Sequence, residues 1–477
     1  MAFTSLLFGL FLAAVFLIYW TLPRRNGHFQ NALLLAANVV FYARWDWRLC
    51  GLLAGAALVD YIAGLNLGPE APRLRRRLFF ALSLTVNVGL LGFLKYYNFF
   101  AESFSDFLRL FGLHGDPHTL RLLLPLGISF FTFQRLTYTI ELFRQRIPVT
   151  RDLLAFLVFA TFFPVVTAGP IERAKTLLPQ FLKAREFNAA SAGDGLRQVL
   201  WGLFRKIVIA DNLAPIVAEA FAGSARLAGI DLAAALFLFS MQLYVDFAAY
   251  SDMAMGVGKL LGVRVMRNFA YPYFSRDIGE FWRRWHISMS SWFRDYVYTP
   301  LSMKVSLAQR GRRFLNILVT FAVSGLWHGA NWTFVAWGTL HGLFFARQTF
   351  VRPPQYDSHM VAEGRLLPKW RELGQMLITF ALVTLAWAFF RADSLPHALG
   401  YLGAMVCGAW LQLPLHLLPI GYCLALLGLE WLRRRKVHAL QIEMLPRVAR
   451  WAIYFGLVFA IFVFGDFGVN DFFYAQF

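Results

Sequence analysis

The stretch Ser324-Gly325-Leu326-Trp327-His328-Gly329-Ala330-Asn331 stands inside a long apolar run, residues 314–345. Such a run implies lipid surroundings, where the imidazole and amide it contains are costly and are kept where function needs them. The wider chain supports this. Of its 477 residues, 58% are hydrophobic and 15% charged, and the mean hydropathy is +0.53; a soluble chain carries about 25% charged residues. Apolar segments recur from end to end. The sequence therefore predicts an all-α, polytopic transmembrane protein of about 11 to 13 spans, taken as one membrane-embedded domain over residues 1–477.

The formal net charge is +19. Lys and Arg occur as short clusters between apolar runs, as orientation signals and contacts with anionic membrane lipid would. No basic face with interleaved aromatics separates from the apolar segments, which argues against nucleic acid as a partner. Cys50, Cys407 and Cys423 lie in or beside apolar runs, without CxxC spacing or a His partner. Neither a metal site nor a disulfide framework is expected. The absence of P-loop, HExxH, GxSxG and Rossmann patterns argues against a nucleotide-driven pump.

Residues 5–22 form a first span, retained rather than cleaved because no basic segment precedes it. Residues 30–43 and 49–67 are expected to make a hairpin, followed by the cluster Arg73, Arg75, Arg76, Arg77 and a span at 78–94. If basic loops face the cytoplasm, the N-terminus lies outside. Residues 99–119, with Asp106, His114, Asp116 and His118, are read as an outside loop, and 122–142 as a span ending at Arg144, Arg146 and Arg151. Pro164, Gly169 and Pro170 within 153–171 predict a broken or re-entrant helix, a backbone tolerated at membrane depth only when buried in protein or lining a wet cavity.

Residues 196–221 are amphipathic and are placed partly in the interface. The span 230–247 closes on Asp246-Phe-Ala-Ala-Tyr-Ser-Asp252, either a capped helix end or part of a cavity lining. Residues 256–312 are too polar to span. There Phe281, Trp285, Met289, Trp292 and Tyr296 recur at helical spacing, one stripe of an amphipathic helix; Glu280 and Arg284 can pair along it. Further spans are expected at 314–327, 332–350, 376–390, 399–410, 417–432 and 451–467, with a polar loop containing Pro353 and Pro354.

Two polar knots carry the candidate chemistry. His328 is either a structural histidine bonded to a neighbour or a base that accepts a proton from an attacking hydroxyl. Gly325 and Gly329 allow another backbone or a substrate to approach closely. Ser324 and Asn331 are read near the same helical face, able to orient the ring or bind an oxyanion. In the second knot, with Asp277 and Glu280, His286 is either held by nearby tryptophans or catalytic. Arg283 and Arg284 suit an anionic donor or lipid headgroups. His341 lies about 220° round a helix from His328 and is read as structural.

Three blocks together resemble the membrane-bound O-acyltransferases, most closely the bacterial members that serve alginate O-acetylation: Glu280-Phe-Trp-Arg-Arg-Trp-His286-Ile-Ser-Met-Ser290, Trp292-Phe-Arg-Asp-Tyr296 and Gly325-Leu-Trp327-His328-Gly-Ala-Asn331. Leu124-Pro-Leu-Gly-Ile-Ser-Phe130, Tyr250-Ser-Asp-Met-Ala254 and Phe389-Phe-Arg-Ala-Asp393 extend the likeness along the chain. The resemblance implies a ring of tilted helices around a central tunnel, with re-entrant or interfacial helices. It implies His328 and His286 as catalytic residues; Asn331, Arg283, Arg284 and Trp327 are read beside them as substrate-binding. It implies no tightly bound cofactor and an acyl thioester donor, acetyl-CoA or an acyl carrier protein, reaching the site from the cytoplasm. The acceptor would be an exported polysaccharide such as alginate, served directly or through a periplasmic acetyltransferase partner, from the bacterial inner membrane. Ala248-Ala249 replace a common Ser-Gly pair, and Ser302-Met303-Lys304 replace a Gly-Gly-Asn-Arg loop; both departures bear on acceptor and partner. D-alanyl transfer to teichoic acid, and a transporter without chemistry, are the alternatives.

Overall fold

A computed structural model describes residues 1–23, 27–113, 119–122, 124–306, 308–351, 360–468 and 472. Arg24, Arg25, His114, Asp116, His118, Pro353 and Pro354 lie outside the described residues. Every described element is a helix, as the hydropathy pattern predicts. The chain divides into two compact units, Met1–Val199 with Met253–Met266, and Leu200–Asp252 with Arg267–Phe477.

In the first unit, α1 (Leu6–Thr21) is capped by the Ser5 hydroxyl, which accepts from the Phe8 amide at 3.1 Å. The expected hairpin is instead the two halves of α2 (His28–Leu65), joined through a single extended residue, Asp46. Its carboxylate accepts from the Arg48 amide at 2.8 Å and so caps the second half without a loop. A π-helical segment, Gly92–Tyr96, leads α3 (Arg73–Leu91) directly into α4 (Tyr97–Arg109). The outside loop expected from residue 99 is thus helical as far as Arg109. Phe100, Phe104 and Phe107 explain the difference, because they repeat on one exposed face at helical spacing.

In α5 (Ile128–Phe143), Arg135 pairs with Asp60 of α2 at 2.6 Å, both fully buried. Ser83 and Asn87 of α3 donate to the same carboxylate at 2.6 and 2.8 Å. The predicted break appears between α6 (Leu153–Thr161) and α7 (Phe163–Val166). There the Phe163 amide, freed from the helix, donates to Asn38 at 2.9 Å. Two further helices, α8 (Ala174–Phe181) and α9 (Ala189–Phe204), complete this part of the chain.

The second unit continues through π-helical Arg205–Ala210 into α10 (Asp211–Ala222) and α11 (Gly229–Leu260). Asp246 and Asp252 do not close a span, since α11 carries on past both. Their charges are tolerated because they are paired: Lys206 lies 2.7 Å from both Asp246 and Asp211, and Arg205 pairs with Asp252 and, at 3.5 Å, with Glu430. The single helix expected over 281–296 is broken into α12 (Ile278–Arg284), α13 (Ile287–Phe293) and a π-helical segment, Arg294–Tyr298. The remaining helices are α14 (Thr299–Ser302), α15 (Arg310–His328), α16 (Trp332–Val351), α17 (Trp370–Arg391), α18 (Leu395–Cys407), α19 (Leu417–Leu432) and α20 (Arg447–Phe464).

Among the described residues, five helical stretches are long and apolar enough to cross a membrane: α2, the continuous α3–α4, α11, α17 and α20. Shorter apolar helices occur at α1, α6–α7, α18 and α19.

The crossing of α15 and α16 positions the site. A Cβ on Gly325 would stand 2.1 Å from the Phe334 carbonyl oxygen, and one on Gly338 would stand 2.3 Å from that of Phe321. Small residues here let the two backbones meet, the usual device of helix contacts in lipid. Gly325→Ala should therefore lower the melting temperature in detergent by an amount equivalent to about 1–3 kcal/mol. Gly374→Ala, whose Cβ would meet nothing within 4 Å, should leave it unchanged or raise it.

Candidate active site

His328 is the last residue of α15, and Gly329 beyond it is extended (φ −159°, ψ 149°). The helix therefore delivers the imidazole at its end, 2% exposed. Gly329 also makes room: a Cβ there would stand 2.1 Å from the Phe334 ring. Both motif glycines thus admit parts of α16.

His286 arrives by a different route. Between α12 and α13, Trp285 is extended and His286 adopts a left-handed backbone (φ 43°, ψ 53°). Such a conformation is uncommon for a non-glycine residue and marks a place where the surroundings over-determine the chain. Here the brace is the segment Asn268–Ala270. The Ile287 amide donates to the Asn268 carbonyl, and the Ala270 amide to the Arg284 carbonyl, each at 2.9 Å. These bonds divert the Ile287 amide and the Arg284 carbonyl, which an unbroken helix would have used.

The two imidazoles come together. Their ring centroids are 6.3 Å apart, and both side chains are buried. Trp327 lies 5.0 Å from His328 and 6.0 Å from His286. Trp337 and Phe390 close on His328 at 5.0 and 5.4 Å, and Phe247 on His286 at 4.7 Å. Trp285, Trp337 and Trp387 continue the aromatic wall, with Trp387 5.1 Å from Trp285 and 5.4 Å from Trp337. His286 belongs to the connection 261–309, outside the spanning helices, and burial pushes its imidazole down to about 3, which holds it neutral.

This nest is rich in buried polar nitrogens. The indole N–H groups of Trp282, Trp285, Trp337 and Trp387, and both ring nitrogens of His341, have no hydrogen-bond partner among the described residues. Buried polar atoms left so are rare and point to a bound molecule or ordered water as their partner.

The sequence pattern of the MBOAT, membrane-bound O-acyltransferase family matches residues 123–386, a span that includes both histidines. The chain belongs to this family. It is an O-acyltransferase and a multi-pass membrane protein. The acyltransferase is 37% identical over 417 residues to the probable alginate O-acetylase AlgI of Azotobacter vinelandii, covering 86% of this chain and 79% of the relative. It is 34% identical over 434 residues to the peptidoglycan O-acetyltransferase of Helicobacter pylori, covering 84% and 79%. Identity to the teichoic acid D-alanyltransferase of Streptococcus thermophilus is 30% over 315 residues, 61% and 75% of the two chains.

Of the residues singled out in sequence, the acyltransferase brings His328, His286 and Trp327 into one nest. Asn331, Ser324, Arg284 and Asp277 make their contacts elsewhere. Asn331 does not share a helical face with His328, because α15 ends at His328. Its amide instead caps α16, accepting from the Thr333 amide at 3.0 Å and donating to the Asp393 carbonyl at 2.9 Å. Ser324 Oγ lies 4.0 Å from the Met289 sulfur. Arg284 is tied to Glu280 at 2.7 Å, the pair expected from their spacing, and to the Ala270 carbonyl at 3.3 Å; Arg283 is exposed. Asp277 caps α12 through the Glu280 amide at 2.7 Å.

Asn268 and Trp337 lie in no motif or spacing that reveals them in sequence, and Phe247 and Phe390 lie inside quoted blocks without being picked out as site residues. His341, read as structural, is buried one aromatic ring from His328, since Trp337 lies 5.1 Å from it. As a helix cap, Asn331 contributes about 1 kcal/mol. Asn331→Ala should lower the melting temperature while the folded fraction keeps its turnover. A fall in turnover at an unchanged melting temperature would return Asn331 to the chemistry.

Proposed function

We propose that this acyltransferase moves an acetyl group from a cytoplasmic thioester, acetyl-CoA or an acetylated carrier protein, to hydroxyls of an exported polysaccharide such as alginate. Transfer goes directly or through a periplasmic acetyltransferase partner, from the inner membrane of a bacterium, with the N-terminus outside. The observation that carries this reading is the pair of buried imidazoles, 6.3 Å apart and walled by aromatic rings, within the region matched to the family. Similarity to relatives named for alginate and peptidoglycan O-acetylation extends over more of the chain than similarity to the D-alanyltransferase, which favours acetyl as the cargo.

His328 acts as general base. It takes the proton of the acceptor hydroxyl as that oxygen attacks the thioester carbonyl carbon. The tetrahedral oxyanion collapses, the carbon–sulfur bond breaks, and the departing thiolate takes that proton from the imidazolium. The oxyanion needs donors already aimed at it. The Trp337 indole N–H supports that role better than Asn331, because its ring touches His328 and its nitrogen has no protein partner among the described residues. The aromatic wall keeps water from the thioester. Arg283, exposed on α12, suits the phosphate groups of an anionic donor.

The test is the O-acetyl content of envelope polymers from cells carrying the parent chain or His328→Ala, with membrane protein levels matched by immunoblot. Acetylation of the exported polysaccharide should fall to the level of cells lacking the protein. Unchanged acetylation of exported polysaccharide would overturn the reading, and a loss confined to peptidoglycan or to D-alanyl esters would replace its substrate.

A further inference from the structure

We propose that Asn268 is a positioning residue of the reaction centre: its side-chain oxygen holds the Nδ1 proton of His286 and leaves Nε2 as the only accepting nitrogen of that ring. The inference rests on reading His286 and His328 as the acyl-transfer pair, and deepens it by fixing which nitrogen of His286 takes part.

The orientation of the Asn268 amide is settled by a group that can only donate. The Ser288 backbone N–H lies 3.1 Å from Asn268 Oδ1, so the atom it meets must be the oxygen. The Ser288 hydroxyl donates to the same oxygen at 2.9 Å. At the other end of the amide, Nδ2 donates to Ser251 Oγ at 3.3 Å and anchors the group to α11. His286 Nδ1 lies 3.1 Å from Asn268 Oδ1. An amide oxygen accepts and never donates, so Nδ1 must carry a proton. A neutral imidazole with its proton on Nδ1 has its lone pair on Nε2.

This environment favours one form of the ring. Asn268, His286 and Ser288 are all fully buried. Phe247 and Phe269 pack on His286 from one part of the unit, and Trp327 and His328 from another. His328 is the titratable side chain among these ring neighbours. In such surroundings a second proton on His286 is disfavoured, and the accepting lone pair of the ring stays on Nε2.

Asn268 holds the same turn twice, and the two holds can be separated. Its backbone carbonyl takes the Ile287 amide, a bond that survives any change of side chain. Its side-chain oxygen lies nearer the ring, 3.1 Å from Nδ1, than the Ser288 hydroxyl, which is 3.5 Å from the same nitrogen.

The test uses the full-length protein in detergent with isotope-labelled histidine, His286 being assigned by the signal missing in His286→Ala. Ring-nitrogen chemical shifts of the parent should show a protonated Nδ1 and an unprotonated Nε2. Asn268→Leu should lose this tautomer preference and, at matched membrane level, lower cellular O-acetylation by on the order of 10- to 100-fold, the range seen when a residue that orients a functional histidine is removed. Asn268→Asp keeps an acceptor for all three donors. It should keep the tautomer, while its negative charge stabilises the imidazolium and moves the His286 titration to higher pH.

A purely structural asparagine would move neither tautomer nor titration. An Nε2–H tautomer in the parent, or Asn268→Leu with parental shifts and parental acetylation, overturns the inference. If Asn268→Leu fails to reach the membrane, the parent spectrum and the Asn268→Asp titration decide. If His286→Ala and His328→Ala both retain acetylation, the acyl-transfer reading falls with it. If they abolish acetylation and the Asn268 variants match the parent, only the role of Asn268 is lost.

Discussion

The close contact of α15 and α16 is the constraint on which the site depends. Gly325 and Gly338 remove the side chains that would hold the two backbones apart. Packed that closely, the end of α15 places the His328 ring against Trp337 of α16, at 5.0 Å. In lipid there is no hydrophobic gain from bringing two apolar helices together, so the contact rests on packing. Packing of this kind is intolerant of added volume. That stiffness is what a reaction centre needs from its scaffold, because catalytic groups act only when held near productive geometry.

Against this rigid pair stands a part of the chain built on the opposite principle. The connection carrying His286 is not one helix but two short ones, separated by an extended and a left-handed residue. Its order comes from hydrogen bonds: to Asn268 and Ala270 at the break, and through Glu280 to Arg276 and Arg284 along α12. The site thus joins a packed wall to a hydrogen-bonded one. Charges elsewhere follow the same rule. Arg135 with Asp60, and Lys206 with Asp211 and Asp246, are buried only as pairs or triads. Removing one member of such a group leaves an uncompensated charge, at a cost of about 3–5 kcal/mol.

Much of this was legible in the sequence, and the gaps have physical causes. Hydropathy reveals helices and membrane residence because it sums over many residues, and the break near Pro164 shows because proline acts locally. His328 and His286 stand out as ionisable groups in apolar or aromatic company. What stays hidden depends on partners distant in the chain. Asp246 and Asp252 read as a helix end because a charge is costly in lipid, yet Lys206 and Arg205, some forty residues earlier, neutralise them and α11 continues. The stripe from Phe281 to Tyr296 has helical spacing, but spacing does not reveal that Asn268 competes for the amides at its middle. Asn331 misleads for a related reason: its place three residues after His328 implies a shared face only if α15 continues, and Gly329 ends it.

The central claim is that His286 and His328 form one reaction centre. The most direct test is the residual acyl-transfer rate of purified protein in vesicles for the parent, His286→Ala, His328→Ala and the double variant. Residues that act as a unit are strongly non-additive. If the two act as a unit, the double variant is no slower than the slower single variant. A double variant slowed by the product of the two single losses would mean that the histidines act independently, and would contradict the claim.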